Sequence, residues 1–216
     1  MNRRDKVKQI REVFDRVYPD AACSLDYMTS HQLLVSVQLS AQCTDARVNI
    51  VTKDLFQKYK TVEEFANADL LELEEIIKPC GFYHNKAKNI IASSKAIVEQ
   101  YGGRVPDTME ELLKLAGVGR KTANLILGDV YQKPGLVIDT HAIRLTNRIG
   151  LTREKDPVKI EFDLMHVVPA DYQSRFCHQL VLHGRALCMA RKPNCEACPI
   201  RHLCSTYEKT QKEAKQ

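Results

Sequence analysis

A chain of 216 residues, 44% hydrophobic and 27% charged, is long enough for one large packed core or two smaller ones. Its 32 Lys and Arg against 27 Asp and Glu give a net charge of +5, which permits a polyanionic partner without requiring one. No apolar run approaches the ~18 residues of a membrane span, no signal-peptide core follows the start, and Asp5, Glu12 and Asp15 argue against a mitochondrial presequence. The expectation is a bacterial-type intracellular, cytoplasmic protein with no membrane partner.

Helical spacing begins at once. Val7, Ile10, Phe14 and Val17 recur on one face and Pro19 stops them. Leu33, Leu34, Val37 and Leu39 follow Thr29-Ser30, and Val48, Val51, Leu55 and Phe56 follow Thr44. Thr61 with Glu64 and Thr108 with Glu111 have capping-box spacing; between them Ile90, Ile91, Ile97 and Val98 run up to Gly102-Gly103. No alternating strand, repeat or low-complexity segment interrupts the pattern, so the fold class is all-α with about ten helices. Pro134-Gly135 marks a domain crossing, after which Leu136-Val137-Ile138 read as an extended entry to a new helix at DTHAIRLTNRIG. Acidic side chains gather over residues 61–77, whereas the chain from Arg185 onward is basic, so one side is expected to be basic.

Two segments carry chemistry. In LAGVGRKTANLILGD, Ala116-Gly117-Val118-Gly119 form a tight turn and Arg120 opens the next helix. The glycines let backbone N–H groups come close to an anion, although a glycine C-cap followed by a glycine N-cap is also ordinary punctuation between helices. Cations in a first helical turn are unfavourable unless an anion arrives there or an uncharged amine is wanted.

The second segment is CMARKPNCEACPIRHLC, with Cys188, Cys195, Cys198 and Cys204 separated by six, two and five residues. In a reducing compartment such clustering points to metal ligands. Common zinc sites use two close pairs, and only one is present; Pro199 after Cys198 echoes the Cys-Pro step of ferredoxins. Zinc and a [4Fe–4S] cluster both stand on spacing alone. Arg191 and Lys192, between the first two cysteines, would either present cations to phosphate or simply be exposed. The scattered Cys23, Cys43, Cys80 and Cys177 read as small buried apolar residues.

AGVGRKTAN, VIDTHAIRLTNRIG, SAQCTDARVN and the four-cysteine segment together resemble the endonuclease III family of the helix-hairpin-helix–Gly/Pro–Asp superfamily, in order and over nearly the whole chain. The resemblance implies two helical domains with a DNA-binding cleft between them. Residues 23–133 would be a six-helix barrel ending in the helix-hairpin-helix; residues 1–22 and 134–216 would form a discontinuous domain around one [4Fe–4S] cluster held by Cys188, Cys195, Cys198 and Cys204. It also implies a monomeric enzyme acting on double-stranded DNA with a damaged pyrimidine or abasic site, and associated with the nucleoid through that DNA.

Roles follow residue by residue from the same resemblance. Gly117, Val118 and Gly119 would bind a backbone phosphate without reading sequence. Lys121 matches the nucleophile: its amine attacks C1′ of a flipped nucleotide, expels the base, and forms a Schiff base that permits β-elimination. The helix N-terminus and Arg120 both oppose its ammonium form. Asp139 would stabilise oxocarbenium-like charge and assist proton transfer, or, more plainly, cap the helix it precedes. Gln42 matches the residue that fills the gap left by the flipped nucleotide, and Phe82 stands where the family often has a leucine wedge. Ala116 replaces a common proline. Two rivals remain: a monofunctional mismatch glycosylase, whose adenine-specific forms lack the lysine and whose thymine-specific forms typically carry tyrosine there, and a non-catalytic iron–sulfur protein that binds DNA or carries electrons.

Overall fold

The computed structural model describes residues 1–213, so the last three residues of the expected cluster domain lie outside the described residues. The helices in order are α1 (Arg3–Val17), α2 (Ser30–Ser40), α3 (Asp45–Lys58), α4 (Val62–Ala66), α5 (Leu70–Ile77), α6 (Tyr83–Tyr101), α7 (Met109–Leu112), α8 (Arg120–Asp129), α9 (Thr140–Ile149), α10 (Pro157–Met165), α11 (Gln173–Ala186) and α12 (Ser205–Glu213). Three short 3₁₀ turns supplement them, and no strand occurs among the described residues. The chain divides into two compact units, Cys23–Tyr131 and Met1–Ala22 with Gln132 onward.

The Cys23–Tyr131 unit is built around α2. Every residue from Leu33 to Leu39 is buried, including Ser36 and Gln38, as expected of a helix enclosed on all sides. α3, α6 and α8 pack on it, and α4 and α5 pack on α6. Threonine side chains start α2, α3, α4 and α7 by accepting the N–H three residues on. The Thr61–Glu64 box closes in both directions. The Thr108–Glu111 pair does not: the Thr108 hydroxyl donates to the Glu111 carboxylate at 2.8 Å, so that carboxylate serves the hydroxyl and not the cap backbone. The unit holds α2 to α8 and one 3₁₀ turn, with Thr108 initiating the four-residue α7.

The other unit joins α1 to α9–α12. Val7, Ile10 and Phe14 of α1 enter one core with Leu145, Ile149, Leu164, Phe176 and Leu180. Residues 132–139 carry no helix, with Leu136 and Ile138 buried, and Gly150 ends α9 in the left-handed conformation. Cys80 and Cys177 are buried as expected; Cys23 and Cys43 are only half-buried, because each lies in a loop at the edge of its core.

Candidate active site and metal centre

The hairpin between α7 and α8 divides its work between side chain and backbone. Val118 is buried in the core of its unit, and its N–H donates to the Leu115 carbonyl at 3.2 Å, so its side chain anchors the turn. Gly117 and Gly119 are exposed. Gly117 has φ +73°, and a Cβ there would lie 2.9 Å from the Asn89 side chain, so both conformation and space demand glycine. Gly119 is extended, with nothing within 4 Å of a Cβ, and it caps α8 without a side-chain acceptor. The buried Gln38 of α2 donates through Nε2 to the Ala116 carbonyl at 2.8 Å and ties the turn to the core.

Lys121 occupies the first turn of α8, exposed, with no hydrogen bond or ion pair among the described residues. Asp139 belongs to the other unit and caps α9, its Oδ1 accepting from the Ala142 N–H at 2.7 Å. Capping uses one carboxylate oxygen and leaves Oδ2 without a partner among the described residues.

Gln42 and Phe82 sit at the ends of two loops of the Cys23–Tyr131 unit. Both are exposed and both adopt positive φ, 55° and 50°. Four non-glycine residues among those described do so; Lys192 is a third, at 52°. A bulky side chain in this region costs of order 1 kcal/mol and is kept only where its surroundings enforce it. Gln42, Phe82, Asn85, Asn89 and Gly117 together line a pocket of about 200 Å³, which brings three of the expected DNA-contacting residues to one place.

The four clustered cysteines line a single cavity of about 130 Å³, walled by Leu145, Ile149, Leu187 and Ile200. Among the described residues no three Cys, His, Asp or Glu side chains converge as ligands of one ion would. Soft sulfur donors spread around an apolar cavity fit a polynuclear iron–sulfur group better than one zinc. Burial first, and then the neighbouring thiols, push Cys198 up to about 11, a cost that bonding to iron removes.

Irregular backbone from Leu187 to Cys204 is held largely from outside. Arg148 Nη1 donates to Cys188 Sγ at 3.4 Å and to the Met189 carbonyl at 2.7 Å, and Nη2 donates to the Ala190 carbonyl at 2.9 Å. His183, buried against Phe14, places Nε2 3.5 Å from Cys198 Sγ, and its Nδ1 lies 2.9 Å from the Tyr18 hydroxyl. Burial pushes its pKa down to about 4, so the imidazole is neutral. Arg191 and Lys192 are exposed on the same segment.

Sequence reasoning passed over Gln38, Lys86, Arg148 and His183. Lys86 is buried at the start of α6, its Nζ donating to the Leu39 and Cys80 carbonyls at 2.8 and 2.9 Å. Gln38, Lys86 and His183 stand at inward positions of apolar helices, and a polar residue on an inward stripe is the signal that would have found them.

Comparisons with known proteins identify the family. Residues 35–170 match the model of the HhH-GPD superfamily base excision DNA repair protein, and residues 188–204 match the iron–sulfur binding domain of endonuclease III. Endonuclease III of Synechocystis sp. is 48% identical over 96% of this chain and 95% of its own. Two solved structures, a non-covalent endonuclease III–DNA complex and a trapped endonuclease III–DNA covalent intermediate with an estranged adenine, are each 38% identical, cover 98% of this chain and 100% of theirs, and superpose with a TM-score of 0.89. The cofactor is accordingly a [4Fe–4S] cluster. The chain belongs to the endonuclease III family of the HhH-GPD superfamily, the base excision repair DNA glycosylases with abasic-site lyase activity.

Proposed function

We propose that this enzyme, as a monomer in the cytoplasm, releases oxidised pyrimidines from duplex DNA and cleaves the strand 3′ to the resulting abasic site, with Lys121 as nucleophile. The observation that carries the reading is an exposed, unpaired lysine in the first turn of α8, directly after a hairpin that exposes the backbone of Gly117 and Gly119. Phosphate docked on that backbone would place a nucleotide beside the amine. The endonuclease III–DNA covalent intermediate trapped in a 38% identical relative supports a covalent enzyme–DNA bond as the central species.

The free amine of Lys121 forms a bond to C1′ while the bond from C1′ to the base breaks, and the base leaves with a proton. As the sugar ring opens, the attached nitrogen passes one of its two protons to O4′ and keeps the other, giving a protonated Schiff base. That iminium acidifies C2′; loss of the C2′ proton expels the 3′ phosphate and leaves an unsaturated aldehyde bound through nitrogen, which water releases. Asp139 offers its free Oδ2 to stabilise positive charge on the sugar and to carry a proton. Gln42 and Phe82 fill the space vacated in the duplex, a role consistent with their exposed, conformationally enforced positions. Cys188, Cys195, Cys198 and Cys204 hold the cluster, whose bonds to sulfur would fix the loop that presents Arg191 and Lys192 to phosphate.

Strand cleavage on a duplex containing thymine glycol tests the assignment. Lys121→Gln should bind the duplex and cleave nothing. Asp139→Asn separates the two uses of that carboxylate, since asparagine caps a helix as well as aspartate but carries no charge. It should keep the parent's thermal midpoint and lose at least ~100-fold in rate; parental activity would leave Asp139 with a capping role alone.

A further inference from the structure

The residues expected to enter the duplex stand at the ends of two loops that are far apart in sequence, and one buried side chain joins the segments just before them. The ammonium of Lys86 donates to the carbonyl of Leu39, in the last turn of α2, and to that of Cys80, the last residue of a 3₁₀ turn. Gln42 follows the first carbonyl by three residues and Phe82 follows the second by two. Beyond each clamped carbonyl the chain turns into the left-handed region, at Gln42 in one loop and at Gly81 and Phe82 in the other.

The surroundings of Lys86 make it an unusual strut. The side chain is 6% exposed and has no carboxylate partner among the described residues. A buried cation is costly unless its hydrogen bonds are satisfied and an opposite field faces it. Two of its three N–H groups are met by carbonyls at the C-terminal ends of helical segments, where the peptide dipoles are negative and supply the opposite field. Burial pulls the Lys86 pKa down, and the nearby Cys80 and Cys43 act against that pull. Because both carbonyls accept from one nitrogen, neither loop can move without breaking a bond to a buried charge.

We propose that Lys86 is a positioning residue for lesion recognition: its single ammonium locks the loops of Gln42 and Phe82 in register so that both side chains enter the duplex together. This rests on the reading of Gln42 and Phe82 given above. Lys86 acts from the buried wall of the pocket that Gln42 and Phe82 line. The strut accounts for two exposed side chains being held in costly backbone conformations before DNA arrives.

The test uses the full, cluster-loaded chain in a Lys121→Gln background, so that DNA stays intact, with 2-aminopurine placed opposite a stable abasic analogue. Entry of side chains unstacks that base and raises its fluorescence. Lys86→Met keeps an unbranched side chain of similar length and removes the charge; Lys86→Gln is the second variant should methionine fail to fold, folding being checked by the thermal midpoint. Either folded variant should bind duplex DNA near the parent's affinity, since the hairpin is untouched, and lose most of the fluorescence rise. A joint Gln42→Ala and Phe82→Ala variant should lose it too. If that joint variant keeps the rise, the roles given to Gln42 and Phe82 are wrong and the proposal falls with them. If the joint variant loses the rise while a folded Lys86 variant keeps it, the strut alone is overturned.

Discussion

The two units hold their loops in different ways. In the Cys23–Tyr131 unit, short loops leave well-packed helices and are tied down by buried polar side chains, Gln38 to the hairpin and Lys86 to the loops of Gln42 and Phe82. In the other unit, seventeen residues from Cys188 to Cys204 contain only one 3₁₀ turn and bury just Ile200 and Leu203 in the apolar core, and four sulfurs line the cavity beside it. Packing can fix a loop that is a few residues long. A longer irregular segment, with few backbone hydrogen bonds of its own, needs bonds of another kind.

The largest expected effect breaks this comparison on the sulfur side. Cys198→Ala should abolish the iron–sulfur visible absorbance and expose residues 188–204 to proteolysis, while the helices of the Cys23–Tyr131 unit keep their protection from hydrogen exchange. Retention of the cluster together with an intact loop would show that the cavity walls suffice.

Next in size is a contrast between two glycines of one hairpin. Gly117→Ala places a methyl group on Asn89 at positive φ, and should cost about 1–3 kcal/mol of stability along with DNA affinity. Gly119→Ala meets open space and an extended backbone, so unfolding should move by less than about 0.5 kcal/mol. Its DNA affinity should still fall, because the added methyl stands where a phosphate would approach. Denaturant midpoints and duplex affinity, measured on the same two variants, check both halves.

A further effect shows itself only in acid. His31 of α2 is buried, with Nε2 2.9 Å from the Ser94 hydroxyl, and burial pushes its pKa down to about 4 from an ordinary 6.5. The unfolded chain therefore binds a proton that the folded one refuses. Stability from this site is complete above about pH 6.5 and is lost as pH falls towards 4, about 3 kcal/mol in all. His31→Asn keeps a hydrogen-bonding group that does not titrate, so denaturant unfolding should lose less stability across that window than the parent does. An unchanged slope would place the acid sensitivity elsewhere.

Much of this architecture is legible in the sequence, because it rests on local rules. The threonine caps at Thr29, Thr44 and Thr61, the apolar stripe of α1 and the stop at Pro19 each follow from residues within one or two turns. The cysteine spacing and the glycine hairpin are local as well. What the sequence hides is what depends on long-range packing. Gln42, Phe82 and Lys192 carry no local sign of positive φ, since their conformations are imposed by the segments around them. The bond from Lys86 to Leu39 spans 47 residues and that from Tyr18 to His183 spans 165, distances at which no periodicity points to a partner. Asp139 shows the opposite limit: the cap legible in the sequence is present, through Oδ1, and the proposed chemistry rests on the other oxygen.

The central claim is that the amine of Lys121 bonds to the sugar, and borohydride trapping tests it most directly. Duplex DNA containing thymine glycol, treated with the parent enzyme and borohydride, should yield a covalent adduct whose peptide map places the reduced sugar on Lys121, with no adduct from Lys121→Gln. An adduct on another residue, or base release by the parent with none trapped, would contradict the account.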